Sequence, residues 1–370
     1  MSERPLIIYD DRMLEHHPTG WDPDHPEWTQ AVMELLAEQY PDKSPEEWSH
    51  PERPERLTAI RDRLRDDAMP ELSWEAAEPA TNQSLARVHA PGYVSFIDSL
   101  EGRACWLNVD TTAVSPGSVE AAKLAAGAGI RAVDAVMNAG PRRAFSVIRP
   151  PGHHATADSA MGFCLFNNVA VAAAHARAAH GCERVMIFDW DLHHGNGTQE
   201  IFYRDPGVLF VDLHCAAPFY PGTGHLEERG AGAGQGTVIN VPLPAGSGNS
   251  ALLATMDRVV APAAAAYRPE LILVSAGFDA HYLDQTMFVD ESGFATLTAR
   301  LCELSDRFCE GRLVLMLEGG YHADALAGGT EACVRIMAGE TAGEPALDEE
   351  DPGLVAVDAA AGYHRSVLAV

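Results

Sequence analysis

Arg184-Val185-Met186-Ile187-Phe188 runs straight into Asp189-Trp190-Asp191-Leu192-His193-His194-Gly195-Asn196-Gly197. The first five residues read as a short buried strand: an unbroken apolar run, too short for a helix and partly β-branched. The polar half then packs two aspartates, two histidines and two glycines around Trp190 and Leu192. Side chains alternate along a strand, so Asp189, Asp191 and His193 fall on one side if the extended spacing continues. Convergent carboxylates and imidazoles suit a borderline divalent metal such as zinc. A single D-x-H after a strand is usually just a polar loop; here the density of ligating groups points to a metal.

Working outward, short apolar runs alternate with helical patterns. Strands are expected at Leu6–Tyr9, Leu72–Trp74, Ala144–Ile148, Val208–Val211, Val238–Val241, Leu271–Ser275 and Leu313–Leu317, making eight with the run above. Between them, helical spacing covers His50 to Arg65, pieces of Asn82 to Leu100, Val119 to Ala139 with Ser118 as N-cap, Leu165 to His180, Gly197 to Tyr203, Ala251 to Tyr267, Ser292 to Cys309 and Ala323 to Met337. That alternation means a parallel sheet between helix layers, a three-layer α/β fold. No internal repeat or linker divides the 370 residues, so a single domain over 1–370 is expected. Residues 16–47 look like an inserted lid or subunit contact, or a segment that simply packs on the core, with Trp28, Val32, Leu35 and Leu36 on one helical face over Glu27–Tyr40. Residues 340–370 form an acidic passage and tail.

Ligands of parallel α/β sheets bind beyond the carboxyl ends of the strands. Five exits carry groups able to bind metal or move protons: Arg149 to His154, Asp189 to His193, Asp212-Leu213-His214, Ala276 to His281, and Glu318-Gly319-Gly320-Tyr321. Chemistry is thereby concentrated on one edge.

Lys plus Arg number 26 against 53 Asp plus Glu, a formal net charge of −27, which argues against nucleic-acid binding and favours cationic substrates or products. Acidic surfaces also simply aid solubility. The seven cysteines form no C-x-x-C pair and suit reduced thiols in the cytosol. The charged start of the chain offers no signal peptide and no run long enough for a bilayer, so a soluble cytoplasmic protein with no membrane partner is expected.

The motifs P-P-G-H-H-A, D-W-D-L-H-H-G-N-G-T, P-G-T-G, S-A-G-F-D-A and L-E-G-G-Y, with an H-P-E-R-P-x-R-L opening at His50, together resemble the zinc-dependent histone deacetylase superfamily from about His50 to Met337. The superfamily includes acetylpolyamine amidohydrolases and shares its eight-stranded parallel sheet with arginases. The resemblance implies zinc on Asp191, His193 and Asp279. It implies His154 as general base and acid, His153 as its electrostatic partner oriented by Asp189, Asn196 as partner of His154, and Tyr321 as oxyanion donor. Asn196 in that place is similar to the class II branch. Phe163, Tyr220 and Gly162 match the acyl-lysine channel, and Asp110 matches a rim aspartate. Structural potassium is implied at Asp189, Asp191, His193, Asp212 and Leu213.

The activity implied is hydrolysis of an acylated lysine or a small acylated amine; a homo-oligomer is a further possible partner arrangement, through the apolar stripe of Glu27–Tyr40. After Asp279 the family usually continues D-P-L-G or D-P-E-G; here Tyr282-Leu283-Asp284-Gln285-Thr286-Met287-Phe288 keeps only the aspartate, so the glutamate that marks polyamine selection is not visible. Two other readings compete. An arginase-like ureohydrolase would need further aspartates for a second metal, and a non-catalytic acyl-amine binder would have no need of His153, His154 and Tyr321.

Overall fold

The computed structural model describes residues 4–18, 50–108 and 112–368. The strands are β1 (Leu6–Ile8), β2 (Ser73–Glu75), β3 (Cys105–Trp106), β4 (Ala113–Val114), β5 (Arg143–Ser146), β6 (Val185–Asp189), β7 (Val208–Cys215), β8 (Val238–Leu243), β9 (Leu271–Ala276) and β10 (Leu313–Leu317). Eight of them form one sheet in the order β2-β1-β5-β10-β9-β6-β7-β8, and every neighbouring pair is parallel. The short β3 and β4 make a separate antiparallel pair. All eight expected strands are in the large sheet.

The central strands are buried on both faces, as their unbroken apolar sequences require. The helices Ser118–Met137 and Asn168–His180 pack together in one layer. On the other side Glu55–Leu64, Ala323–Met337 and Glu291–Phe308 pack in succession. This is the three-layer arginase/deacetylase fold. Each of the Leu, Ile, Val and Phe side chains taken out of water between the layers contributes about 1.5–3 kcal/mol.

Several details differ from expectation. Ser118 is the first helical residue, with Gly117 at the cap position. Its hydroxyl instead accepts from the Ser115 backbone N–H and lies 2.6 Å from His16 Nδ1. The helix expected from Leu165 begins at Asn168, because Asn167 turns its side chain onto the Ala170 N–H as a cap. β7 runs on to Cys215, held by β8 through Cys215 opposite Leu243, so Asp212, Leu213 and His214 lie within the strand rather than beyond it. The long helix from Asn249 contains a π-helical turn at Met256–Val260 before Ala261–Tyr267. The tail folds back as a helix, Gly353–Tyr363, against β8. Of the segment 16–47, expected as a lid or subunit contact, only His16 to Pro18 are described; the rest, including Glu27–Tyr40, and Asp110 lie outside the described residues.

Candidate active site

The five chemistry-bearing segments belong to five adjacent strands, β5, β10, β9, β6 and β7, so the sheet order itself gathers them at one edge. Asp189 ends β6, in register with Ser275 on one side and Asp212 on the other. Beyond it the alternation continues for a few residues. Trp190 turns away into the core, where its Nε1–H donates to Gly277 O at 2.8 Å. Asp191 and His193 turn toward Asp279, which follows β9.

His193 points Nδ1 at Asp191 Oδ1 (3.1 Å) and Asp279 Oδ2 (3.0 Å). Ligating atoms of all three residues lie within 4.8 Å of one another. The carboxylates are fixed by main chain: Asp191 accepts from Gly319 N–H at Oδ2 (2.7 Å) and from His193 N–H at Oδ1 (2.9 Å), and Asp279 Oδ1 accepts from Leu192 N–H (2.9 Å). Gly277 and Gly319 let the neighbouring chain come this close; a Cβ on either would stand 2.0 and 2.3 Å from Asp191 Oδ2 and Asp279 Oδ2.

These residues fit a divalent cation. Asp279 Oδ2 is fully buried and has no hydrogen bond of proper alignment, although His193 Nδ1 is near it. Two buried carboxylates carry more negative charge than one imidazole can balance. Burial and then Asp191 push the Asp279 carboxyl up to about 6. Burial alone would lower His193, but Asp191 and Asp279 lift it to about 9. A bound cation removes that conflict. The donor set of one imidazole nitrogen and two carboxylates is one zinc accepts, with a position left open.

The tandem histidines follow β5 on the loop Arg149 to Ala155. Their rings are 4.1 Å apart between centroids, yet their environments differ. His153 Nδ1 lies 3.0 Å from Asp189 Oδ2, and its Nε2 lies 3.8 Å from Asp191 Oδ1. Burial opposes the charge on His153, but Asp189 and Asp191 outweigh it and hold the imidazole well above its usual range. The same burial, with His153 opposing and Asp212 reinforcing, pushes the Asp189 carboxyl up, so the pair shares its proton. We assign that proton to the imidazole, the more basic of the two groups in water.

His154 Nδ1 lies 2.8 Å from Asn196 Oδ1. Burial, followed by the charges of His153 and His193, holds His154 well below the usual imidazole range. One histidine is thus charged and its neighbour neutral, the separation that acid–base chemistry uses.

The loop carrying the pair is set by buried polar groups. Glu318, at the end of β10, accepts from the N–H groups of Gly152 (2.6 Å) and His153 (3.1 Å). Asn167 Nδ2 donates to Ala155 O at 3.1 Å. Beneath them Arg149 grips Glu52 through Nε (2.8 Å) and Nη2 (2.9 Å), and Arg56 donates to the same Glu52 (3.0 Å) and to Gly320 O (2.6 Å). The structural parts played by Glu318, Glu52, Arg56 and Arg149 were not foreseen. Their positions inside P-E-R-P-E-R, R-P-P-G-H-H and L-E-G-G-Y were the available signal.

Tyr321 follows Gly320, whose φ of +112° suits glycine. Its backbone N–H and that of His322 donate to Asp284 Oδ2, at 2.5 and 2.7 Å. Arg56 lies over the Tyr321 ring at 4.9 Å, and Phe163 meets that ring edge-on at 6.1 Å. Burial holds the Tyr321 phenol well above its usual range, so it remains a proton donor. Phe163 is itself in the left-handed region (φ 69°), its N–H donating to Thr112 Oγ1 at 2.9 Å. Tyr220 stands edge-on to His154 (5.2 Å) and His193 (6.1 Å), and Phe219, not foreseen, stacks on His193 at 5.2 Å. Asp212 Oδ2 accepts from Gly195 N–H at 2.8 Å.

Comparison with known proteins agrees with this geometry. The family model for the histone deacetylase domain matches residues 50–337. The chain belongs to the histone deacetylase family. A rice (Oryza sativa subsp. japonica) relative, "Histone deacetylase 10, chloroplastic", is 39% identical over 329 residues, covering 82% of this chain and 74% of that one. "Histone deacetylase-like amidohydrolase" of Pseudomonas aeruginosa is 41% identical over 275 residues, covering 74% and 72%. Among solved structures, "Crystal Structure of HDA15 HD domain" superposes with a TM-score of 0.84 at 33% identity, over 99% of this chain and 95% of that one. Membership at this identity and coverage makes the chain an enzyme of the amidohydrolase type. The matched span is the one the motifs delimit. No described helix is long and apolar enough to cross a membrane.

Proposed function

We propose that this protein is a zinc-dependent deacylase, one catalytic domain that hydrolyses the amide of an acylated primary amine, either an acetyl-lysine side chain or a small acetylated amine. The observation carrying this reading is the buried, hydrogen-bond-orphaned Asp279 Oδ2 facing Asp191 and His193, directly beside a charged and a neutral histidine. Zinc held by Asp191, His193 and Asp279 would supply Lewis acidity toward the amide carbonyl and a water of lowered pKa.

The remaining work falls to the chain. His154 Nδ1–H donates to Asn196 Oδ1, which leaves the Nε2 lone pair to take a proton from the attacking water. The same Nε2–H then passes its proton to the leaving amine nitrogen, so amide and water give a carboxylic acid and an amine, which exchange one further proton at neutral pH to become carboxylate and ammonium. His153, kept charged by Asp189, stabilises negative charge as it develops. Tyr321 donates a hydrogen bond to the carbonyl oxygen, and the rings of Phe163 and Tyr220 flank an alkyl chain and exclude water. Asp110 is the candidate rim contact. Asp189, Asp191, His193, Asp212 and Leu213 are the candidate potassium site, supported by the side-by-side Asp189 and Asp212. Seven unpaired cysteines fit a reducing compartment such as the cytosol.

The test is a deacylation screen of acetyl-lysine peptides, acetylated polyamines and longer acyl chains, paired with metal analysis. The expected result is one zinc at this centre and turnover of at least one class, abolished in His154→Ala. Natively folded protein whose metal content is unchanged by Asp279→Ala, or turnover indifferent to His154→Ala, overturns the reading.

A further inference from the structure

Among the described residues a second group has the composition of a metal site, away from the chemistry above. Asp134 lies in the last turns of helix Ser118–Met137, and His175 and His180 lie in the closing half of helix Asn168–His180. Asp134 Oδ1 is 2.7 Å from His175 Nε2 and 2.7 Å from His180 Nε2. The two rings are 5.7 Å apart and nearly perpendicular, so both present Nε2 to one oxygen from different directions. The side chains are 12%, 16% and 37% exposed for His175, His180 and Asp134, sheltered but reachable from solvent.

Helix Asn168–His180 starts beside the reacting edge and runs back along the sheet to Gly181, ahead of the first residue of β6. The cluster therefore sits at the amino end of the strands, opposite the candidate active site. Two helix C-termini meet there. Each brings partial negative charge, and Asp134 adds a full one in a place where a helix disfavours an anion. That field favours a cation independently of the identity of the ligands.

We propose that Asp134, His175 and His180 form a second binding site for a divalent transition metal of the zinc class, clamping the two helices of this layer together. Donors about 2.0 Å from a tetrahedral zinc are about 3.3 Å apart, so each present contact must open by only about half an ångström. One Oδ1 and two Nε2 atoms leave a fourth position for water. His175 Nδ1 now lies 3.1 Å from Arg87 Nη1, a donor. A ring that ligates through Nε2 needs its proton on Nδ1, so the exposed Arg87 side chain must swing away on binding. Removing Arg87 is accordingly a gain for the metal.

The experiment strips the full-length protein with chelator, re-equilibrates it with zinc and counts bound metal per chain. Wild type is expected to hold one equivalent more than His180→Ala and than the near-isosteric Asp134→Asn. Arg87→Ala should retain that equivalent and bind it more tightly. Cobalt substitution gives a second readout: the visible tetrahedral bands should lose the contribution of this site in Asp134→Asn. Turnover should stay unchanged in all three variants, because none touches the reacting edge. Equal metal content in wild type, His180→Ala and Asp134→Asn would overturn the proposal, as would zinc-induced thermal stabilisation identical in all of them.

Discussion

Asn196 Oδ1 faces His154 Nδ1 at 2.8 Å, while the Asn196 amide nitrogen reaches back toward His154 O (3.5 Å) and Met161 Sδ (3.4 Å). That arrangement fixes the amide's direction, and with it the imidazole tautomer. Asn196→Ala frees the ring and should lower turnover by about 10–100-fold with metal content unchanged. His154→Ala should cost more, about 10²–10⁴-fold. Steady-state kinetics alongside metal analysis separate the two; full turnover in Asn196→Ala would show that the ring needs no such partner.

Tyr321→Phe keeps the ring contacts with Phe163 and Arg56 and removes only the hydroxyl. Turnover should fall about 10²–10³-fold while the dissociation constant for substrate is nearly unchanged. A loss confined to substrate binding would assign the phenol to recognition instead.

Gly162 combines φ +54° with a Cβ position 2.2 Å from His154 Cδ2, whereas Gly102 has φ +72° and open space. Alanine at either site costs about 1–2 kcal/mol for the left-handed backbone. Gly102→Ala should show that loss in denaturant titration with normal turnover. Gly162→Ala should add a collapse of turnover, because His154 must move. Equal turnover in the two variants contradicts the crowding.

Glu52 and His16 make the fold acid-sensitive. His16 Nε2 is 3.2 Å from Glu52 Oε2, and both are fully buried. Burial lowers His16 to about 4, against about 6.5 when unfolded. The unfolded chain therefore binds the extra proton between those values. The stability contribution is whole above about pH 6.5 and is lost as pH falls through about 4, on the order of 3 kcal/mol. Burial opposes charge on Glu52, but Arg149 and His16 hold it well below its usual range, so its own contribution is present above about 4.5 and lost below that. His16→Gln should flatten the stability-versus-pH curve between about 6.5 and 4. Glu52→Gln, stranding Arg149 and Arg56, should cost about 3–5 kcal/mol at neutral pH.

Much of this was legible in the residues. Stretches such as Val185–Phe188 and Leu313–Leu317 are continuous apolar runs, as burial on both faces of a parallel sheet requires. The convergence of Asp191, His193 and Asp279 was legible because a parallel sheet delivers its strand exits to one edge, so these three needed only to follow neighbouring strands. What escaped depends on tertiary pairing. Glu318 and Glu52 were charged letters whose partners, the Gly152 N–H and Arg149, lie far away in sequence. Ser118 has the composition of a cap, but the Ser115 N–H and His16 claim its hydroxyl. His175 and His180 have the H-x4-H spacing that zinc sites use, but a histidine pair alone is not a site, and only the neighbouring helix supplies Asp134 between them.

The carboxylate of Asp284 holds the backbone of Tyr321 and His322 from within the departing segment Tyr282 to Phe288. A shift of the chain between Tyr282 and Phe288 is therefore transmitted through one carboxylate to the backbone that carries the phenol. Redesign of that segment has to spare Asp284 if the placement of Tyr321 is to survive it.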